Sequence, residues 1–240
     1  MAIKPSRKFI WLFGENLGKT MNNNSWYSFL RVANEDEFSD IDMYFIATST
    51  ARNRKAVHNM PQSIKDRIVW RNSIQHQSLY RRADMFFVTL SYRDILPDKF
   101  GENNKYPKPT VYLQHGVIGI KKVGYKPDSY KNTMWRFLCF TQNEIDLMHE
   151  YNGFREYQLE LCPAMPRWQE LVRLDRKYKK QGDQKSILWF ITWRDYLKDK
   201  KFNVDVFLKK IVDVLSDERL HKYLDSKNLK MTVCLHQLFD

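Results

Sequence analysis

The chain has 240 residues, 43% of them hydrophobic and 15% aromatic, and a formal net charge of +12. That length and apolar fraction suit one large or two small packed domains and exclude an intrinsically disordered chain. The charge favours anionic partners, whether nucleic acid, lipid headgroups or phosphorylated substrates, without choosing among them.

Seven short apolar runs recur through the first 170 residues, over 9–13, 43–47, 68–70, 85–90, 110–114, 137–140 and 157–161. The longest are of strand length and fall well short of the roughly 20 residues that cross a bilayer. The basic start, Met1 to Arg7, precedes an apolar stretch too short for a secretory signal, closed by Gly14 and Glu15. A cytoplasmic chain is the expectation. Helical patterns lie between the runs, over 25–33, 74–83 and 142–151, and this alternation predicts a parallel sheet flanked by helices. The last helix is the best marked, because Thr141 and Glu144 form a capping-box pair and Gly153 stands where it ends. Cys139, Cys162 and Cys234 sit in apolar stretches without metal-ligand spacing and read as buried thiols of a reducing compartment.

From Arg173 to Gln184 the chain is polar and basic, with Arg173, Arg176, Lys177, Lys179 and Lys180 clustered ahead of Lys185. This stretch reads as a solvated linker, or as a contact for phosphate or a membrane surface. A second unit follows, with a strand over 186–192, a helix whose apolar positions Val204, Phe207, Leu208, Ile211, Val212 and Leu215 share one face, and a strand over 231–235. Strand, helix and strand are too little to close a core. The expected organisation is therefore a first domain over 1–174, a linker over 175–184 and the start of a second domain over 185–240.

Ligands of open parallel sheets bind at the carboxyl ends of the strands, so residues directly after predicted strands are the candidates. Gln114-His115-Gly116 is one such place. Glycine lets a backbone approach closely and histidine exchanges a proton near neutral pH, although a purely structural turn histidine fits the tripeptide equally. Phe13-Gly14-Glu15, with Gly18 nearby, precedes a helix and offers an anion-binding turn or simply a tight one. Its spacing is not that of a nucleotide P-loop, despite Gly18-Lys19-Thr20. The third place joins Thr192-Trp193-Arg194 with His236, each closing a strand of the second unit. There the guanidinium would clamp a phosphate.

Read in order, these pieces resemble the CDP-glycerol glycerophosphotransferase family. The opening Trp11-Leu12-Phe13-Gly14-Glu15 with Asn23-Asn24 is similar to the family's start, and Gln114-His115-Gly116 running to Lys121 is its most specific segment. Ala164-Met165-Pro166-Arg167 and the following Leu171 keep the proline, arginine and leucine of a further motif, while its glycine and aspartate are replaced. Ile187-Leu188-Trp189-Phe190-Ile191-Thr192-Trp193-Arg194 is similar to a fourth motif, with Ile191 in place of proline, and Val233-Cys234-Leu235-His236 resembles the strand-end histidine of the donor half.

The resemblance implies an α/β fold of the GT-B type, truncated here: a Rossmann-like parallel-sheet domain on the acceptor side, followed by an incomplete second Rossmann-like domain. It implies transfer of glycerol phosphate or ribitol phosphate from a CDP-linked donor such as CDP-glycerol to a lipid-linked anionic polymer at the inner face of the membrane, releasing CMP. His115 would be the general base. Gly14, Glu15, Gln114, Gly116, Lys121, Arg167, Arg194 and His236 would contact substrate and phosphate; no metal ligand is implied. Two other readings stand beside it. A GT-B transferase using a nucleotide sugar would share the fold, and a catalytically silent remnant would share the ancestry. A nucleic-acid-binding module finds no motif, and Trp26, Tyr27, Trp70 and Trp135 lie in apolar periodic segments rather than on a basic face.

Overall fold

The computed structural model describes residues 7–101, 106–118, 123–127, 134–178, 185–191 and 204–235. The chain divides into two compact units, Met1–Leu174 and Asp175–Asp240.

Among the described residues unit 1 is built on seven strands: β1 (Phe9–Gly14), β2 (Ile41–Ala47), β3 (Ile68–Trp70), β4 (Met85–Val88), β5 (Thr110–Tyr112), β6 (Met134–Cys139) and β7 (Leu159–Leu161). They form one sheet in the order β3-β2-β1-β4-β5-β6-β7, with every pairing parallel. The order reverses between β1 and β4, and this makes a switch-point crevice at the carboxyl ends of those two strands. All seven expected strands are present, with bounds that differ by a few residues.

A parallel sheet is covered on both faces, so its central strands are apolar throughout rather than alternating. On one side Leu12, Ile46, Phe86, Tyr112 and Phe137 pack into a core closed by Tyr80 of α4 (Ile74–Arg82) and Met148 of α5 (Gln142–Glu150). On the other, Phe13, Met43, Phe45 and Ile68 meet Trp26 and Phe29 of α1 (Asn24–Ala33). Aromatic contacts dominate that second face. Phe13 stacks on Phe87 at 4.4 Å between centroids, and Trp26 meets Phe45 edge-on at 4.9 Å.

Two short helices join β2 to β3, α2 (Ala51–His58) and α3 (Gln62–Lys65). Neither was expected, because α2 is nearly all polar and its one buried residue is Asn53. Its signal was Thr50, whose side chain caps the Asn53 N–H. A further helix, α6 (Trp168–Tyr178), runs into the stretch read as linker. Trp168, Leu171, Val172 and Leu174 set a helical stripe that outlasts the start of the basic run.

Unit 2 pairs β8 (Lys185–Ile191) with β9 (Leu229–Leu235) in parallel, and the last partners are Ile191 and Leu235. Between them come α7 (Val204–Leu215) and α8 (Glu218–Ser226), the latter capped by Asp217 and missed from sequence. Leu188 and Phe190 of β8 remain exposed.

Among the cysteines only Cys139 is buried, its thiol pushed up to about 12 by burial. Cys162 and Cys234 are half-exposed. Cys162 follows the edge strand β7 and Cys234 lies near the end of β9 in a two-stranded sheet, so an apolar neighbourhood in sequence did not translate into full burial.

His76, in α4, is fully buried. It accepts the Asn72 N–H at Nδ1 (2.9 Å), and its Nε2 lies 2.8 Å from the Ile95 carbonyl. Both ring nitrogens are thereby committed to a neutral imidazole, and burial lowers its pKa from 6.5 to about 4. The unfolded chain takes up this proton at higher pH than the folded one, so stability present above pH 6.5 drains away as pH falls towards 4. Equilibrium urea unfolding should register a loss on the order of 3 kcal/mol across that window. In His76→Gln the pH dependence should flatten.

Candidate active site

The site is organised around the start of α1. β1 ends at Gly14, where a Cβ would sit 2.5 Å from Ile95 Cγ2 and 2.8 Å from the Asp94 carbonyl oxygen. The next residue, Glu15, is fully buried. Its Oε1 accepts the N–H groups of Asn22 (2.7 Å) and Asn23 (2.8 Å) and the Thr20 hydroxyl (3.3 Å), and its Oε2 accepts the Trp26 N–H at 3.0 Å. A helix leaves its first N–H groups without intrahelical acceptors and carries a partial positive charge there, and the carboxylate answers both. Burial pushes the Glu15 carboxyl above the usual range, and the backbone N–H groups draw it back.

From that anchored helix end, Asn24 reaches to the end of β5. Its Nδ2 donates to the carbonyls of Leu113 (3.1 Å) and Gln114 (2.9 Å). Gln114 is buried and adopts a left-handed backbone, φ 55°, which turns the chain sharply out of the strand. Its side-chain amide donates to the Leu138 carbonyl in β6. Four residues on, the Ile118 N–H donates to the carboxylate of Glu144 in α5. That carboxylate also receives the N–H groups of Phe140 and Thr141, closing the capping box expected from sequence. The loop over 113–118 is therefore tied to α1, β6 and α5, and between the ties His115 stands exposed. Beside it, a Cβ at Gly116 would meet nothing within 4 Å, so the space over the loop is open.

Arg167 enters from the far end of the unit. It follows β7 and precedes α6, its N–H lies 3.4 Å from Asn24 Oδ1, and its Nη1 donates to Asn23 Oδ1 at 3.0 Å. Asn23 and Asn24 thus gather Glu15, Gln114 and Arg167, residues separated by up to 152 positions in the chain. Glu15 and Gly14 face other parts of the protein in the described contacts. The remaining residues named from sequence, Lys121, Arg194 and His236, lie outside the described residues.

A second carboxylate, Asp94, organises the switch point. It is 1% exposed and accepts the N–H groups of Leu17 (3.0 Å), Thr89 (3.2 Å) and Leu90 (2.9 Å). The loops after β1 and β4 are thereby joined. Burial pushes its carboxyl upward as well, opposed by the same N–H donors. Asn24, Asp94 and Glu144 were not singled out as site residues from sequence. Glu144 and Asp94 each carried a local signal, a capping box with Thr141 and with Ser91, and that signal says nothing of the second loop each also holds. Among the described residues no group of three or more histidine, cysteine or acidic side chains is placed to hold a metal ion.

An all-parallel Rossmann-like sheet, followed by a second unit that opens as strand, helices and parallel strand, is an α/β arrangement consistent with a GT-B fold. Among solved structures the chain is similar to the wall teichoic acid polymerase TagF, with a TM-score of 0.57 at 15% identity over 96% of this chain and 57% of that one for a histidine-to-alanine variant. A histidine-to-asparagine variant soaked with CDPG aligns with a TM-score of 0.58 at 14% identity, over 96% of this chain and 56% of that one. The likeness is one of fold, and the chain spans a little over half the length of those proteins. No protein-family model and no curated protein matches the sequence.

Replacing Asn24 by alanine leaves two buried carbonyls and the Arg167 N–H without their partner. A cost of about 1–3 kcal/mol in urea unfolding is expected. Amide exchange should accelerate at Leu113 to Gly116 beyond the global change, and uniform exchange across the unit would show that Asn24 does not hold the loop.

Proposed function

We propose that the chain belongs to an enzyme that transfers a polyol phosphate, glycerol phosphate or ribitol phosphate, from a CDP-linked donor to a hydroxyl-terminated anionic acceptor. One observation carries the reading: an exposed histidine is held on a loop tied at both ends, at the carboxyl edge of a sheet whose fold is that of the wall teichoic acid polymerase TagF. The ordered motifs around Gly14, His115, Arg167 and Arg194 support it from the sequence.

In the proposed reaction an acceptor hydroxyl oxygen attacks the β-phosphorus of the donor. A new P–O bond forms, the bond from that phosphorus to the bridging oxygen breaks, and CMP leaves with the bond's electron pair. The hydroxyl proton passes to His115, the general base. Phosphoryl transfer otherwise demands positioning and neutralisation of charge, and Lys121, Arg167, Arg194 and His236 are the groups proposed for that work. The tethers on Gln114 and Ile118 fit such a base, because a base must be held within hydrogen-bond reach of the proton it removes. The surplus of cationic side chains fits a donor, an acceptor and a membrane surface that are all anionic. Among the described residues no helix is long and apolar enough to cross a membrane, so the association proposed is peripheral, at the inner face.

The test is release of CMP from CDP-glycerol, with CDP-ribitol and a UDP-sugar as parallel donors and a short polyol-phosphate oligomer as acceptor. CMP release is expected with one of the CDP-polyols, and His115→Ala should slow it by about 100- to 10,000-fold while its thermal midpoint stays near wild type. Turnover of the UDP-sugar alone would replace the donor assignment. Wild-type rates in His115→Ala would remove the base.

A further inference from the structure

The crevice at the β1–β4 switch point opens into a cleft of about 470 Å³, apart from the loop that carries His115 and lined in part by Lys19 of the turn after β1. Its size falls within the range of small-ligand sites, roughly 300–1,000 Å³. The loops after all four strands β1 to β4 contribute: Leu17 and Lys19, Thr48, Arg71, and then Arg93 with Leu96.

Among the described residues three cationic side chains line this cleft against one carboxylate, Asp98. That carboxylate is already engaged, one oxygen by Arg71 Nη2 at 2.9 Å and the other by Asn72 Nδ2 at 2.7 Å. Arg71 is a structural clamp. Its side chain is only 10% exposed, and it also donates to the carbonyls of Arg93 (3.1 Å), Asp94 (3.2 Å) and Leu96 (2.8 Å), which fixes the turn after β4. Lys19 and Arg93, by contrast, are exposed at the rim.

The backbone around the cleft is held in sparsely populated conformations. Asn16, Leu17 and Asn72 have φ of 45°, 55° and 66°. Such conformations persist where the surroundings impose them, and they cluster at ligand sites. Here the surroundings do impose them. The Leu17 N–H donates to Asp94, the Leu17 carbonyl accepts the Thr48 hydroxyl at 2.8 Å, and the Asn72 N–H is bound by His76.

We infer that this cleft is a second anion site, apart from the His115 loop, and that it takes a phosphodiester of a polyol-phosphate chain. The inference rests on the proposed transferase reading for the identity of the chain. Two rim cations and the apolar Leu17 and Leu96 suit a ligand that alternates phosphate with short carbon linkers. Among the described residues no aromatic side chain lines the cleft, so none of them stacks on a nucleobase. β4 is the immediate neighbour of β5 in the sheet, and a chain seated in the cleft can extend towards the strand end that carries His115.

Calorimetric titration with a synthetic glycerol-phosphate oligomer tests this, with inorganic phosphate, CMP and single-stranded DNA as comparison ligands. The double variant Lys19→Gln, Arg93→Gln should bind the oligomer at least about tenfold more weakly than wild type. CMP affinity should be the same in the double variant and in wild type. Equal oligomer affinity in the double variant and wild type would overturn the site, as would DNA binding that falls in parallel, which would mark a general polyanion surface. The two readings fail separately. Cleft-dependent oligomer binding without any CMP release would sink the transferase while leaving the site, and CMP release with cleft-independent binding would do the reverse.

Discussion

Unit 1 depends on the demand of a helix end for acceptors. The first N–H groups of α1 point at the carboxyl edge of the sheet, and Glu15 meets them with a carboxylate that the fold has fully buried. The position of α1 along the sheet follows, because Glu15 is the residue directly after β1. Once α1 is set, so are Asn23 and Asn24, and through them the end of β5 and the backbone of Arg167. A protonated or absent carboxyl at this position would release the helix start and the two loops it holds together. The burial of Glu15 costs free energy that the several N–H groups offset, an arrangement that favours one geometry over many.

Much of the architecture was legible in the chain. Seven apolar runs of strand length became seven parallel strands, because strands buried on both faces have nowhere to put a polar residue. The amphipathic helices α1, α4 and α5 were equally plain, and the capping box at Thr141 and Glu144 located its helix start to the residue. α2 and α6 escaped for opposite reasons. α2 buries almost nothing, so tertiary contact leaves no mark on its composition, while the apolar stripe of α6 was masked by the basic run that overlaps it.

The candidate site was legible only in part. Strand-end residues Gln114 and His115 were found by the rule that places ligands at carboxyl edges, and the motif order joined them to Gly14, Glu15 and Arg167. The groups that hold them were not. Asn24 is an ordinary helix-start residue in sequence, and its two acceptors lie about ninety positions away. Asp94 closes a capping box with Ser91, a local pattern that marks a turn and says nothing of the loop after β1 that it also binds. A residue whose partners are remote in sequence leaves no local signature, and chemistry at a site rests on many such residues.

In unit 2 the parallel register of β8 and β9 works as a collator. Ile191 and Leu235 are direct partners although 44 positions separate them. Because the strands run the same way, the polypeptide leaves both from adjoining points, roughly one interstrand spacing of about 4.8 Å apart. An antiparallel hairpin would have sent those two exits to opposite edges of the sheet. Both strands of the pair thus end at one edge of the sheet, a consequence of backbone geometry alone, before any side chain has chosen a rotamer.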